Sequence, residues 1–352
     1  MRSPGIRSAV AAVVALGFTV AACGSDSGQP SANQPDETGA GMGAPTIVVT
    51  TNVLGDVVNE VVGDAAHVVT IMPVGADPHD FQASAQEVDA LNNADALIVN
   101  GAGFEEGLLD VIEGAESEGV PTFEAISVVD TIESGEGGHQ HSDEHSDDDE
   151  HSDEEHGDEE HSDEEHDHSG VDPHFFTDPV RMTEAVDGMV AFLQDEIEFA
   201  DPAAVDASAA AYIAELAELD GEVDELVEAI PEERRVLVTN HEVFGYFADR
   251  YGFEVVGAVV PGGSTTDSAS AGELAELAEL VEAEGVPAIF ADTSSSDDLV
   301  EALASEVGEV AVVELYSESL GEAGSDGATY LAMVLTNAQR MSDALALSLI
   351  HI

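Results

Sequence analysis

Three histidines stand in settings that suit chemistry. His79 lies in GADPHDF, His174 in DPHFFTDP and His241 in TNHEVFGYF. Each segment is turn-like, and two of the three place the imidazole after an Asp-Pro pair, both residue types that favour turns. A lone histidine of this kind is commonly a satisfied structural residue. Three from separate segments read better as ligands of one shared ion, since neutral imidazole suits zinc, copper, nickel or iron. A carboxylate would complete the set. Glu318 in LYSESLGEAGSDGATY and Asp292 in AIFAD both follow an apolar run, and the residues alone leave the choice between them open. Three imidazoles and one carboxylate can close a tetrahedral zinc site, whereas more oxygen donors would favour manganese, magnesium or calcium. The imidazoles must be neutral to bind, so affinity is expected to fall as the pH drops toward about 6. His67, at the start of a strand-like run, and His351, near the last residue, carry no such signal.

The other eight histidines, His139, His141, His145, His151, His156, His161, His166 and His168, lie in the stretch Glu133 to His168 with 18 acids and no base. That stretch has no apolar content and cannot build a core. Between His141 and His166 the spacings are 4, 6, 5, 5 and 5, a period that fits neither a helix face nor a strand. It is expected to be a charged loop, residues 133–170, that binds several metal ions weakly and raises their concentration near the other histidines.

The elements that must position these residues alternate along the chain. Strand-like runs occur at 46–51, 67–73, 95–100 and 121–126, separated by helical patterns at 53–63, 84–93 and 105–115. Asp178-Pro179 opens a long helical pattern to about residue 198, and Pro202 interrupts it. The alternation then repeats: a helix over 203–229, strands at 235–240, 253–260, 288–292 and 310–316, and helices at 242–251, 270–284, 297–306 and from about 327. A βαβα order implies parallel sheets covered by helices. His79, His174, His241 and Glu318 all fall in loops after strands, where open α/β sheets bind ligands.

The chain has 352 residues with 75 acids against 7 bases, a formal charge of −68, and all seven bases are arginine. This excludes an electrostatically driven nucleic-acid binder, because phosphate contacts need basic residues. Outside the His-rich stretch 57 acids still face the 7 bases, so the whole surface is acidic and suits a salt-adapted protein. One cysteine excludes an intramolecular disulfide. That residue, Cys23, ends a segment with Arg2, Arg7 and an apolar stretch from Ala9 to Val20, the pattern of a signal peptide over residues 1–22. Val20-Ala21-Ala22-Cys23 resembles a bacterial lipobox, which makes Cys23 the expected lipidation site. Residues 23–45 read as a flexible tether. The folded body is then held by a lipid on the outer face of the cell membrane.

The segments GADPHDFQASAQEV, ADALIVNGAGFE, DPHFFTDP, NHEVFGYFADRYGF, IFADTSSS and LYSESLGEAGSDGATYLAMVLTNAQRM occur in that order. Together they resemble the metal-receptor lipoproteins, the zinc and manganese substrate-binding proteins of bacterial ABC transporters, in the zinc-receptor type with a His-rich acidic loop. The resemblance covers nearly all of residues 46–350. It implies two similar α/β lobes with parallel sheets, joined by one long rigid helix, with the metal site between the lobes. The implied boundaries are 46–177 for the first lobe, 178–200 for the linker helix and 201–352 for the second lobe. His79 and His174 would be ligands from the first lobe, and His241 and Glu318 from the second. The third ligand is usually His in zinc receptors and Glu in manganese ones, so His241 points to Zn²⁺, with Mn²⁺ or iron as the alternative. The implied partners are the metal ion and an ABC transporter permease in the membrane, with no nucleic acid; the protein is expected to be a monomer and not an enzyme. Two positions depart from the pattern: Phe176 stands where Trp is frequent, and Glu318 where many members have Asp. A zinc hydrolase is disfavoured, because the chain has no HExxH and four protein ligands leave no open position for water. A metal-dependent surface adhesion protein is the remaining rival.

Overall fold

The structure, a computed structural model, describes residues 44–134, 170–266, 269–294, 296, 298–308 and 310–346. Cys23, the tether up to residue 43, the eight histidines of the acidic run and His351 lie outside the described residues. Two four-stranded parallel sheets organise the rest. The first is built from β1 (Thr46–Val49), β2 (His67–Thr70), β3 (Ala96–Val99) and β4 (Thr122–Glu124), in the order β2-β1-β3-β4. The second has β5 (Val236–Thr239), β6 (Glu254–Ala258), β7 (Ala288–Asp292) and β8 (Ala311–Leu315), in the order β6-β5-β7-β8. The winding is the same in both. The chain starts on an inner strand, steps to one edge and returns to the other side. That reversal opens a crevice at the carboxyl ends of the strands. Inner strands such as β3, with the sequence ALIV, are buried at every residue, as a sheet covered on both faces requires.

Several helices begin where a side chain supplies a cap. In α1 (Asn52–Val62) the Thr51 side chain accepts the Leu54 N–H, and in α2 (Ala85–Asn92) Ser84 and Glu87 form a capping box. The first lobe is completed by α3 (Leu109–Ser117), and α6 (Gly245–Tyr251), α7 (Ala271–Glu284) and α8 (Asp298–Val307) serve the second. Between them run α4 (Pro179–Glu196) and α5 (Pro202–Glu228), each opened by an Asp cap and a Pro in its first turn, and the last helix is α9 (Tyr330–Ala346).

The expected linker at 178–200 holds α4, and a second long helix, α5, follows it. Helix α4 packs chiefly on the first lobe and along α5, while α5 lies against α1 of the first lobe and α9 of the second. With 27 residues, α5 is about 40 Å long, enough to run beside both sheets. The reason is visible in the sequence: Asp201-Pro202 restarts the helix, and Val205, Tyr212, Leu216, Leu219, Val223 and Val227 give it a long buried stripe. One buried apolar cluster runs without a break from Ile47 and Val57 through Leu193, Leu216 and Val223 to Leu237, Met333 and Leu345. The lobes share this core, which leaves little freedom for a hinge between them. The helix expected from residue 242 begins three residues later, at Gly245, because residues 241–244 form a turn in which the Val243 N–H reaches the His241 carbonyl.

The ends of the acidic run are closely paired. Glu133 bridges Val171 in antiparallel fashion, and the Ser134 N–H donates to the Gly170 carbonyl at 2.9 Å. Joining Ser134 to Gly170 would make a four-residue turn with Ser-Gly at its centre, a permissive sequence for a tight hairpin. Deletion of residues 135–169 is therefore expected to leave far-UV circular dichroism and the melting temperature undiminished. A molten or unfolded product would mean that the run supports the core. The acid excess predicts that the melting temperature of the intact chain climbs as NaCl is raised from about 0.1 M to about 1 M, where the Debye length shrinks to about 3 Å; a flat thermal scan series would exclude salt adaptation.

Candidate metal centre

The four residues come from loops at the carboxyl ends of the strands. His79 lies between β2 and α2, His174 after β4 and just before α4, His241 directly after β5, and Glu318 after β8. All four are buried, with His174 and His241 at 0% exposure. The two Asp-Pro-His segments fold alike. In each, the Asp two residues upstream accepts the histidine backbone N–H through Oδ1, Asp77 for His79 and Asp172 for His174, both at 2.9 Å. His241 is held differently, by its carbonyl, which accepts the Thr239 hydroxyl at 2.7 Å.

The three imidazoles form a nearly regular triangle. Their ring centroids are 6.0 Å apart for His79 and His174, 5.9 Å for His79 and His241, and 5.5 Å for His174 and His241. Each turns Nε2 inward. A single oxygen, Glu318 Oε1, lies 2.7 Å from His79 Nε2, 3.2 Å from His174 Nε2 and 3.1 Å from His241 Nε2. One donor atom from each of the four residues falls within 4.8 Å of the others. Tetrahedral ligands about 2.0 Å from a zinc ion are about 3.3 Å from one another, close to these separations. Within these four residues two buried atoms have no hydrogen-bond partner among the described residues, Glu318 Oε2 and His241 Nδ1. The first is a spare carboxylate oxygen available to an ion.

The outer nitrogens fix the chemistry of the inner ones. His79 Nδ1 donates to Glu106 Oε1 at 3.0 Å and His174 Nδ1 donates to Asp172 Oδ1 at 2.7 Å. A carboxylate only accepts, so each Nδ1 carries a proton and each Nε2 is the nitrogen left for a ligand. Phe104 packs edge-on against His79 at 5.2 Å and His174 at 5.5 Å, and Phe176, at 6.0 Å from His174, gives the site a dry wall. Without an ion, the imidazole of His174 sits between two carboxylates. Burial alone pushes its pKa down; the charge and hydrogen bond of Asp172, followed by Glu318, outweigh that and raise it from 6.5 to about 9. His79 also moves up, its burial outweighed chiefly by Glu318. Burial alone would raise the Glu318 carboxyl, but the charge of His241 and hydrogen bonds from all three histidines hold it well below the usual range.

Glu318, and not Asp292, is brought to the histidines. Asp292 is buried nearby, and its oxygens accept from the Ser294 backbone N–H and hydroxyl at 2.8 Å. His67 is exposed at the start of β2. Sequence reading passed over Glu106, Asp172 and Phe104 as parts of the site. For Asp172 a signal existed, since the same Asp precedes both Pro-His pairs; Glu106 is one acid among 75. Beside His79 a cavity of about 480 Å³ is lined by Phe104, Glu106, Pro173, Gly263 and Ser264. The NGAGFE segment reaches it through three successive left-handed residues, Gly101, Ala102 and Gly103, with φ of 87°, 52° and 75°.

The linkage follows from these directions. The raised pKa of His174 stabilises the metal-free fold fully below about 6.5, its unfolded value, and that contribution is lost as the pH rises through about 9. The lowered pKa of Glu318 contributes above its unfolded value of 4.5 and is lost as the pH falls. In the metal-free protein the His174 imidazole is expected to titrate near 9 by ¹⁵N-resolved NMR, and Asp172→Asn should lower that value. A midpoint at the ordinary 6.5 would show that Asp172 and Glu318 do not hold the proton.

Comparisons with known proteins agree with this geometry. A family model described as ZnuA, zinc-uptake complex component A, periplasmic, matches residues 47–344. The zinc-binding protein TroA of Treponema pallidum is 31% identical over 325 residues, covering 87% of this chain and 91% of that protein. The manganese-binding lipoprotein MntA of Halalkalibacterium halodurans is 26% identical over 332 residues, covering 92% and 94%. The solved structure of the periplasmic zinc binding protein TroA from Treponema pallidum aligns with a TM-score of 0.71 at 29% identity, covering 86% of this chain and 99% of that one. The two-lobe fold with parallel sheets is thus shared, and these relatives are named for the metals they bind. The chain belongs to the ZnuA family of metal-binding receptors of ABC transporters.

Proposed function

We propose that this protein is a high-affinity extracytoplasmic receptor for Zn²⁺, which it delivers to an ABC transporter permease without bond chemistry. The observation that carries the reading is the donor set: three buried Nε2 atoms aimed at one carboxylate, His79, His174, His241 and Glu318. Nitrogen-rich sets favour zinc over manganese, which prefers more oxygen. Mn²⁺ is the second reading, favoured by the relatives named for manganese and by the unpartnered Glu318 Oε2, which can add an oxygen. The two lobes would each contribute two ligands. Lipidation at Cys23 would tether the body to the outer membrane face, in keeping with a relative that is called a lipoprotein; no described helix is long and apolar enough to cross a membrane. The protein would act as a monomer. The His-rich run would serve as a secondary, weaker metal element. Ser134 and Val171, at its two ends, line the same cavity as His79.

The test is metal content by mass spectrometry after equilibration with equal zinc and manganese in high salt, using protein without residues 1–45 and 135–169. About one zinc per chain is expected, lost in His241→Ala, with His241→Glu shifting the preference toward manganese. Manganese in the unsubstituted protein would establish the second reading; no bound metal would sink both. The pH dependence is sharper than free imidazoles suggest. Below about 9 the ion must displace a proton from His174, so affinity should climb about tenfold per pH unit from 7 toward 9, with about one proton released from that residue. Calorimetry in two buffers of different ionisation enthalpy measures the release, and a buffer-independent heat would contradict it.

A further inference from the structure

The segment that carries Glu318 is gripped from the opposite lobe. Asn52, at the start of α1 and buried, accepts the Leu320 backbone N–H on Oδ1 at 2.7 Å. Its Nδ2 donates to Ser319 Oγ at 3.1 Å and to the Pro73 carbonyl at 3.2 Å. Ser319 Oγ also accepts the Gly75 N–H at 2.7 Å. Gly75 lies in the loop that leads to His79, so one hydroxyl ties the segments bearing two of the four donors. Ser317, Glu318 and Ser319 are each no more than 2% exposed, so water does not compete for these bonds. The same region of the second lobe is tied twice more, by the Tyr330 N–H to Asp56 Oδ2 at 2.8 Å and by the Tyr330 hydroxyl to the Phe176 carbonyl at 2.7 Å. Asn52 and Ser319 touch none of the donor atoms themselves.

We infer that Asn52 and Ser319 are positioning residues, a clasp between the lobes that holds the Glu318 carboxylate against the three imidazoles and thereby sets how fast the ion leaves. This rests on the receptor reading. Residues 319 and 320 follow Glu318 directly, so the clasp fixes the backbone from which the buried Glu318 side chain reaches the imidazoles. A retreat of this segment by an ångström or so would take Oε1 off all three Nε2 atoms together. Because the lobes share a core, such a retreat needs no hinge; it needs only the clasp to open.

The experiment follows Zn²⁺ release from the full chain into excess 4-(2-pyridylazo)resorcinol. The wild type should show one slow phase of about one ion, well separated from fast release by weak sites. Its absence would defeat the receptor reading, and the clasp with it, before any variant is made. Ser319→Ala and Asn52→Ala should each speed the slow phase about tenfold, the worth of one buried hydrogen bond. The deciding comparison is the same substitution in a Glu318→Ala background, where Ser319→Ala should add nothing because its effect runs through the missing carboxylate. Equal acceleration with and without Glu318, or no acceleration at all, would overturn the clasp while leaving the receptor intact. Should Asn52→Ala fail to fold, Ser319→Ala carries the test, since it leaves the Asn52 bond to the Leu320 backbone in place.

Discussion

One carboxylate oxygen facing three imidazole nitrogens is the interaction on which the site depends. Glu318 Oε1 comes from the second lobe, and two of its three partners come from the first. The arrangement exists only if four loops from two sheets arrive together. A buried carboxylate among neutral imidazoles would be costly; here the pKa values of His79 and His174 are raised, which favours ion pairs with Glu318. The energy that holds the metal-free site together is thus the same energy an incoming cation must replace. On the proposed ligand set, protons and metal would compete for the same atom of His174, whose pKa is raised from 6.5 to about 9.

Much of this was legible in the sequence, for local reasons. Asp-Pro-His folds into the same turn twice because both signals, the Asp that accepts a backbone N–H and the Pro that fixes φ, lie within three residues of the ligand. The strands and helices were legible because valine-rich runs alternate with capped amphipathic stretches. What was not legible depends on distance along the chain. Asn52 and Ser319 are 267 residues apart, and nothing in either neighbourhood names the other. Glu106 is hidden by the abundance of acids. The helix that lies against both lobes is a matter of the same kind: residues 178–200 are where the alternation changes, and α5, which follows them, carries the buried stripe whose partners α1 and α9 come from opposite ends of the chain.

The repeated winding of the sheets gives the site an order of its own. His174 and Glu318 follow the last strand of their respective sheets, at equivalent stations. Asn52 and His241 follow the first strand of theirs, where the winding reverses. At the reversal one lobe places His241 and the other places Asn52, whose amide holds the segment that carries Glu318. Two similar halves have taken different tasks at matching positions, which explains why neither half on its own resembles a complete site.

The continuous core has a further consequence. With the proposed ligands each lobe would be a two-toothed chelator, and α5 with the buried cluster around it fixes the distance between the two pairs of teeth. A rigid spacing turns the second pair's attachment into an intramolecular event at high effective concentration, so tight capture needs no unusually strong single bond. The same arithmetic runs in reverse. Displacing one pair by a small amount would forfeit the whole multiplicative gain, and an ion held for long times would become, after one local movement, an ion held by two donors and ready to be handed on.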